Sequence, residues 1–208
     1  MALVKYNDNS ISTISSAGQL AQGSLVPIKT LTASGSASLS FVHGSNDVVL
    51  DSTYPIYKFE FINCHPQTDA SRWTFQASTN TGSSYGVTMT TIAFNGYNAE
   101  NSSFYGLSYN TSQDLAQSTS FKQLIRDTGS NNDQSASGQL FLFNPSSTTF
   151  VKHFISQFSN CQENDANSNS NTAGYFNDGS NAIDGIQFKY STGNIDSGTI
   201  KLYGIKDS

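Results

Sequence analysis

Two short runs near the end of the chain, residues 183–190 and 199–205, constrain the fold most. Ile186, Phe188 and Tyr190 alternate with Gln187 and Lys189, and Ile200 and Leu202 alternate with Lys201 and Tyr203. Strict period-two alternation marks strands with one buried face. Residues 192–198 between them include Gly193 and the triplet Asp196-Ser197-Gly198, all turn formers. The pattern predicts a long hairpin that closes a sheet, with the apolar set turned to a core. Lys201 and Tyr203 fall on the opposite side. That side is only partly polar, so the two residues are candidates for contact with a neighbouring sheet or subunit. The signal is architectural and points to an assembly or display module rather than an enzyme.

The same alternation recurs upstream. Tyr57, Phe59 and Phe61 share one face against Lys58 and Glu60 on the other, and Trp73, Phe75 and Ala77 form a second such set. A turn at 79–84 and a Thr-rich run at 87–94 predict a hairpin with the Trp73 strand. Further strands are expected at 25–31, 37–42, 121–126, 137–144 and 150–158. The 137–144 run is apolar on both sides and therefore central. Residues 63–71 read as a connection and 162–171 as a polar loop. Residues 95–120 are the least regular stretch, an ordered loop or short strands, in which Tyr97, Tyr105 and Tyr109 stand among Asn, Ser and Gly. Aromatics in that setting either plug the end of a sandwich or form a binding surface.

The total is eight to ten strands and no helix. This predicts an all-β fold, a jelly-roll-like β-sandwich with an extended N-terminal arm. An up-and-down barrel or an immunoglobulin-like sandwich is the other option, although the cysteine spacing does not fit the latter. Residues 1–24 show no steady period and are assigned to the arm, and 25–208 to a single β-sandwich domain.

Composition narrows the function classes. Charged residues make up 12% of the chain, against roughly 25% in ordinary soluble domains. Ser, Thr, Asn, Gln and Gly take their place, giving a polar but nearly uncharged surface. Ten Lys and Arg scattered over 208 residues, with a net charge of −5, make no patch for phosphates, so nucleic acid is not an expected partner. No apolar run approaches the length of a membrane-spanning helix, and the first residues do not read as a secretory signal. Cys64 and Cys161 are either buried thiols or a disulfide, and neither sits in a redox motif.

Catalytic constellations are sparse. His43, His65 and His153 lack a second His or Cys at metal-ligand spacing, and His153 reads as structural. Serines are so numerous that a Ser-His-Asp combination carries no information, and none is read as the nucleophile of an elbow. Carboxylate pairs would have to draw on Glu60, Glu100 and Glu163 together with the aspartates. No catalytic residue and no cofactor is assigned. The acidic loops at 127–133, 163–165 and 177–179 offer oxygen ligands for a structural calcium ion, without matching the twelve-residue calcium loop. Tyr97, Tyr105 and Tyr109 among amides form the alternative, a glycan-binding surface, while Trp73 reads as core.

The opening Met1-Ala2-Leu3-Val4-Lys5, the Ser-rich 34–40 segment, the phrase at 140–154 (LFLFNPSSTTFVKHF) and the closing residues 182–205 resemble a group of small virion proteins of tailed bacteriophages, notably marine and cyanobacterial phages. The most specific part is GNIDSGTIKLYGI at 193–205, and the resemblance covers most of 25–205. It implies a non-enzymatic structural protein of the virion, assembled in the host cytoplasm. Two placements follow. One is a capsid decoration (cement) protein, trimeric and in contact with the major capsid protein or other virion proteins. The other is a tail-associated or fibre-tip module that meets host surface glycans.

Overall fold

The computed structural model describes residues 24–207. Twelve strands make up two antiparallel sheets. In chain order they are β1 Leu25–Ser36, β2 Leu39–Val42, β3 Ile56–Pro66, β4 Trp73–Ser78, β5 Met89–Ala99, β6 Tyr105–Tyr109, β7 Lys122–Gln123, β8 Ala136–Phe143, β9 Lys152–Cys161, β10 Ala166–Phe176, β11 Gly185–Tyr190 and β12 Ile195–Ile205. A 3-10 turn, Thr111–Gln113, follows β6. The eight-stranded sheet runs β1-β12-β3-β8-β9-β10-β5-β6 and the four-stranded sheet β2-β11-β4-β7. The expected arm lies outside the described residues apart from Ser24, whose carbonyl accepts from the Lys206 amide.

The two sheets form a sandwich held by an aromatic core. Phe188 of β11 lies at its centre, 5.2 Å from Phe59 and 4.9 Å from Phe61 of β3, with Phe41, Trp73 and Phe75 of its own sheet around it. Phe75 meets Phe154 of β9 at 4.9 Å. Most of these pairs are edge-to-face, the arrangement that ring quadrupoles favour. The predicted faces of β3 and β4 are therefore the ones buried here.

The closing hairpin is corrected. β11 pairs with β2 and β4, and β12 pairs with β1 and β3, so the two strands belong to different sheets. Their apolar faces oppose each other across the core instead of lying side by side. Period-two alternation reports which face is buried but not which strand is the neighbour. β12 also starts at Ile195 rather than after Gly198. Gly198 sits inside the strand at φ +131, where a Cβ would fall 2.7 Å from Cys64 Cα. The ladder to β3 shifts register on both sides of Ser197, which makes this a bulge.

The same correction applies to the predicted hairpin of β4 and β5, which also split between the sheets. Of residues 162–171, only 162–165 form the expected polar turn; from Ala166 onward the chain is β10, which pairs with β9 and β5 along nearly its whole length. Its Ser168, Ser170 and Thr172 are buried, and small hydroxyl side chains fit where the sheet is covered on that side. Residues 63–66 extend β3, and of 121–126 only Lys122 and Gln123 are strand.

Candidate functional site

The outer face of the eight-stranded sheet carries the ordered surface chemistry of the molecule. Residues paired across an antiparallel ladder point the same way, so registers define rows perpendicular to the strands. One row reads Lys201, Glu60, Gln139, Gln157, Asn171, Phe94, Tyr109, from β12 to β6. Its neighbour reads Tyr203, Lys58, Phe141, Ile155, Ala173, Ile92. On the other side lie Ser137, Ser159, Asn169, Gly96 and Leu107.

The β12 end of this face is charged and closed on itself. Lys58 Nζ lies 2.6 Å from Glu60 Oε1, and the Glu60 carboxyl is held below its ordinary range by that contact. Lys58 also sits 5.7 Å from the Phe141 ring centroid. Beyond β8 the row carries no Lys, Arg, His, Asp or Glu among the described residues. Ile92, Phe94 and Ile155 are each about half exposed there, and Tyr105 and Leu107 on the β6 edge are 76% and 78% exposed. Tyr109 is fixed in place by donating its hydroxyl to Asp114 Oδ2, which raises its pKa.

Three shallow depressions follow one another along β9 and β10. The first, 440 Å³, is bounded by Ile92, His153, Ile155 and Tyr175. The second, 250 Å³, lies between Phe94, Phe141, Gln157 and Asn171. The third, 490 Å³, lies among Glu60, Ser137, Gln139, Ser159 and Asn169. His153 is exposed at the first of these, its ring 5.8 Å from that of Tyr175.

The five residues singled out by sequence do not make one site. Tyr105 and Tyr109 stand on β6, and Lys201 and Tyr203 on β12, six strand spacings or about 29 Å away. Lys201 and Tyr109 nonetheless belong to one row. Tyr97 is on the inner face of β5, packed against Phe104 at 6.2 Å and partly buried. Of the amides between Lys201 and Tyr109, Asn171 was hidden because 162–171 carry no apolar alternation, while Gln139 and Gln157 lie in runs expected as strands but not as site residues.

The inner face of β9, β10 and β5 is unexpectedly polar. Ser156, Asn160, Ser168, Ser170, Thr172 and Asn95 are buried on it. Lys122 shares the Phe75 side of the small sheet, which faces this layer, and its amine donates to the Gln113 carbonyl at 2.6 Å. Burial pulls that amine down to about 8. Lys152, also buried, donates to the carbonyls of Asp178 and Asn181.

No group of three or more His, Cys, Asp or Glu able to hold a metal occurs among the described residues. The acidic loops use their carboxylates locally. Asp127 pairs with Arg72 and Arg126, Asp165 accepts from Gln134, and Asp178 accepts from the amides of Ser180 and Asn181. Cys64 and Cys161 are both free thiols. Residues 82–86 spell the Gly-x-Ser-x-Gly letters that the sequence reading passed over. An elbow serine stands between a strand and a helix, whereas Ser84 lies in the turn between β4 and β5 and accepts from Asn80 Nδ2 at 2.8 Å. Comparison with protein-family models, with curated proteins and with solved structures finds no match.

Proposed function

We propose that this chain is a non-enzymatic structural module of a bacteriophage particle, a decoration protein that stabilises the head and is built as a jelly roll with a four-strand extension. The strand order supports the fold reading. In β1-β12-β3-β8 over β2-β11-β4-β7, the first strand pairs with the last and the second with the next to last, and among these eight strands the chain changes sheet at every step except β4 to β7, as in the double Greek key of a jelly roll. The remaining four strands, β9-β10-β5-β6, widen only the larger sheet.

The observation that carries the assembly reading is the β6 edge. Tyr105 and Leu107 are more than three-quarters exposed on a strand whose outer ladder edge is unpaired among the described residues. Such an edge is a liability for an isolated molecule and an asset for one that packs against neighbours. In our reading it meets another copy in a trimer or the major capsid protein, and the nearly uncharged surface makes that contact insensitive to salt.

Density mapping of purified particles tests this placement. Density for the domain repeated over the head surface at high copy number is expected, and loss of the protein should lower the resistance of the head to heat and osmotic shock. Density confined to the tail at low copy number overturns the decoration reading.

A further inference from the structure

The three depressions form one shallow groove on the outer face of the large sheet. It follows β9 from His153 to Ser159, a length of about 20 Å at ~3.3 Å per residue. Asn169, Asn171 and Ala173 of β10 floor it, and the Gln139–Gln157–Asn171 row crosses its middle. We propose that this groove binds a chain of neutral sugar residues.

The amides give the first reason. Asn171 Nδ2 donates to Asn169 Oδ1 at 2.8 Å, which leaves the Asn171 carbonyl and the Asn169 amine open. The side-chain amides of Gln139 and Gln157 make no hydrogen bond within the described residues. An amide offers donors and an acceptor on one group, and a sugar hydroxyl both donates and accepts, so each matches the other without a formal charge. Rigid β-strands hold the amides in register, which lowers the ordering cost of binding.

The apolar groups give the second. Phe94 and Tyr109 continue the amide row on β5 and β6, and Tyr175, Ile92 and Ile155 bound the first depression. Rings and aliphatic side chains next to amides suit a ligand with one apolar C–H face and a rim of hydroxyls.

Charge selects the occupant. Lys58, Glu60 and Lys201 are confined to β3 and β12, so an ionic ligand lying over Gln157 would meet no Lys or Arg on the outer face of β8, β9 or β10. A nucleic acid lacks cations to hold its phosphates. A peptide added as a strand needs an open ladder edge, and β8, β9 and β10 are paired on both edges.

The groove is a property of the folded domain and holds for a head or a tail placement, so it succeeds or fails separately from the decoration reading. The test is affinity electrophoresis of the full chain through gels containing dextran, mannan, galactan or xyloglucan, with alginate as the charged comparison. Retardation by at least one neutral polysaccharide is expected, with at least a tenfold loss in Gln157→Ala/Asn171→Ala. Gln157→Leu, which keeps the bulk of the side chain, should show a comparable loss, and melting curves confirm that both variants fold. The proposal is overturned by no retardation in any neutral gel, by retardation in alginate alone, or by retardation that survives the double substitution. Sedimentation showing a dimer that Gln157→Leu dissociates would assign the face to a second copy and overturn it as well.

Discussion

Tyr190 of the small sheet donates its hydroxyl to the main-chain carbonyl of Cys64 in the large sheet, at 2.8 Å and fully inside the sandwich. The acceptor belongs to an irregular part of β3. Asn63 has φ +49, the ladder to β8 shifts register between Phe61 and Cys64, and Gly198 presses against Cys64 from β12. The bulge turns a carbonyl toward the core, and the tyrosine satisfies it. Removing only the hydroxyl leaves a buried acceptor without a partner, which costs about 1–3 kcal/mol. Tyr190→Phe should therefore lower the unfolding free energy by that amount, seen as a lower urea midpoint with an unchanged slope. An unchanged midpoint would show that water reaches the Cys64 carbonyl.

Phe188 makes the most aromatic contacts in the core, touching Phe41, Phe59, Phe61, Trp73 and Phe75. Neighbours drawn from both sheets cannot collapse into the space it leaves. Phe188→Ala should cost about 3–5 kcal/mol in denaturant unfolding. A loss below ~1 kcal/mol would mean the two sheets slide together to fill the void.

Phe188 and Tyr190 also show what sequence can and cannot reveal. Their alternation with Gln187 and Lys189 identified a half-buried strand correctly, as did Tyr57, Phe59 and Phe61 for β3. The same alternation could not assign sheets, because Ile186 and Ile200 bury equally well whether their strands are neighbours or face each other across a core. β10 was invisible for a different reason. Its Asn and Ser residues have low intrinsic strand preference, and pairing with β5 and β9 on both edges overrides that preference. Asn171 was lost with it, while Tyr105, Tyr109, Lys201 and Tyr203 stood out only as single residues, and the pairing of distant strands that sets them on the two sides of one sheet is not written in local alternation.

Lys122 sets a pH signature. Its amine is pulled down to about 8 by burial, against about 10.4 in an unfolded chain. Between those values the unfolded chain holds a proton that the native state has released. Unfolding then takes up a proton, and this group adds stability as pH rises from about 8 to about 10.4, on the order of 3 kcal/mol in total. Cys64 and Tyr57, both pushed up to about 12 by burial, act oppositely and lose stability as pH rises past their unfolded values of about 8.5 and 10. Both remain in Lys122→Met, so the difference between parent and variant isolates the lysine. The variant should be the more stable at pH 7, and the gap should close toward pH 10.5. A gap that stays constant with pH would mean that Lys122 is solvated in the native state.

The β6 edge separates stability from assembly. Leu107 and Tyr105 bury little surface within the chain, so changing them should leave unfolding within about 0.5 kcal/mol of the parent. A charge at Leu107 would, however, be buried unpaired in any contact made across that edge, which is strongly unfavourable. Leu107→Glu should therefore abolish self-association seen by sedimentation while the melting temperature of the dilute protein stays unchanged. Tyr105→Ser, which removes contact area without adding charge, should weaken the same association more mildly. If both variants associate as the parent does, the subunits meet through another face, which leaves the major capsid protein as the partner of the edge in our reading.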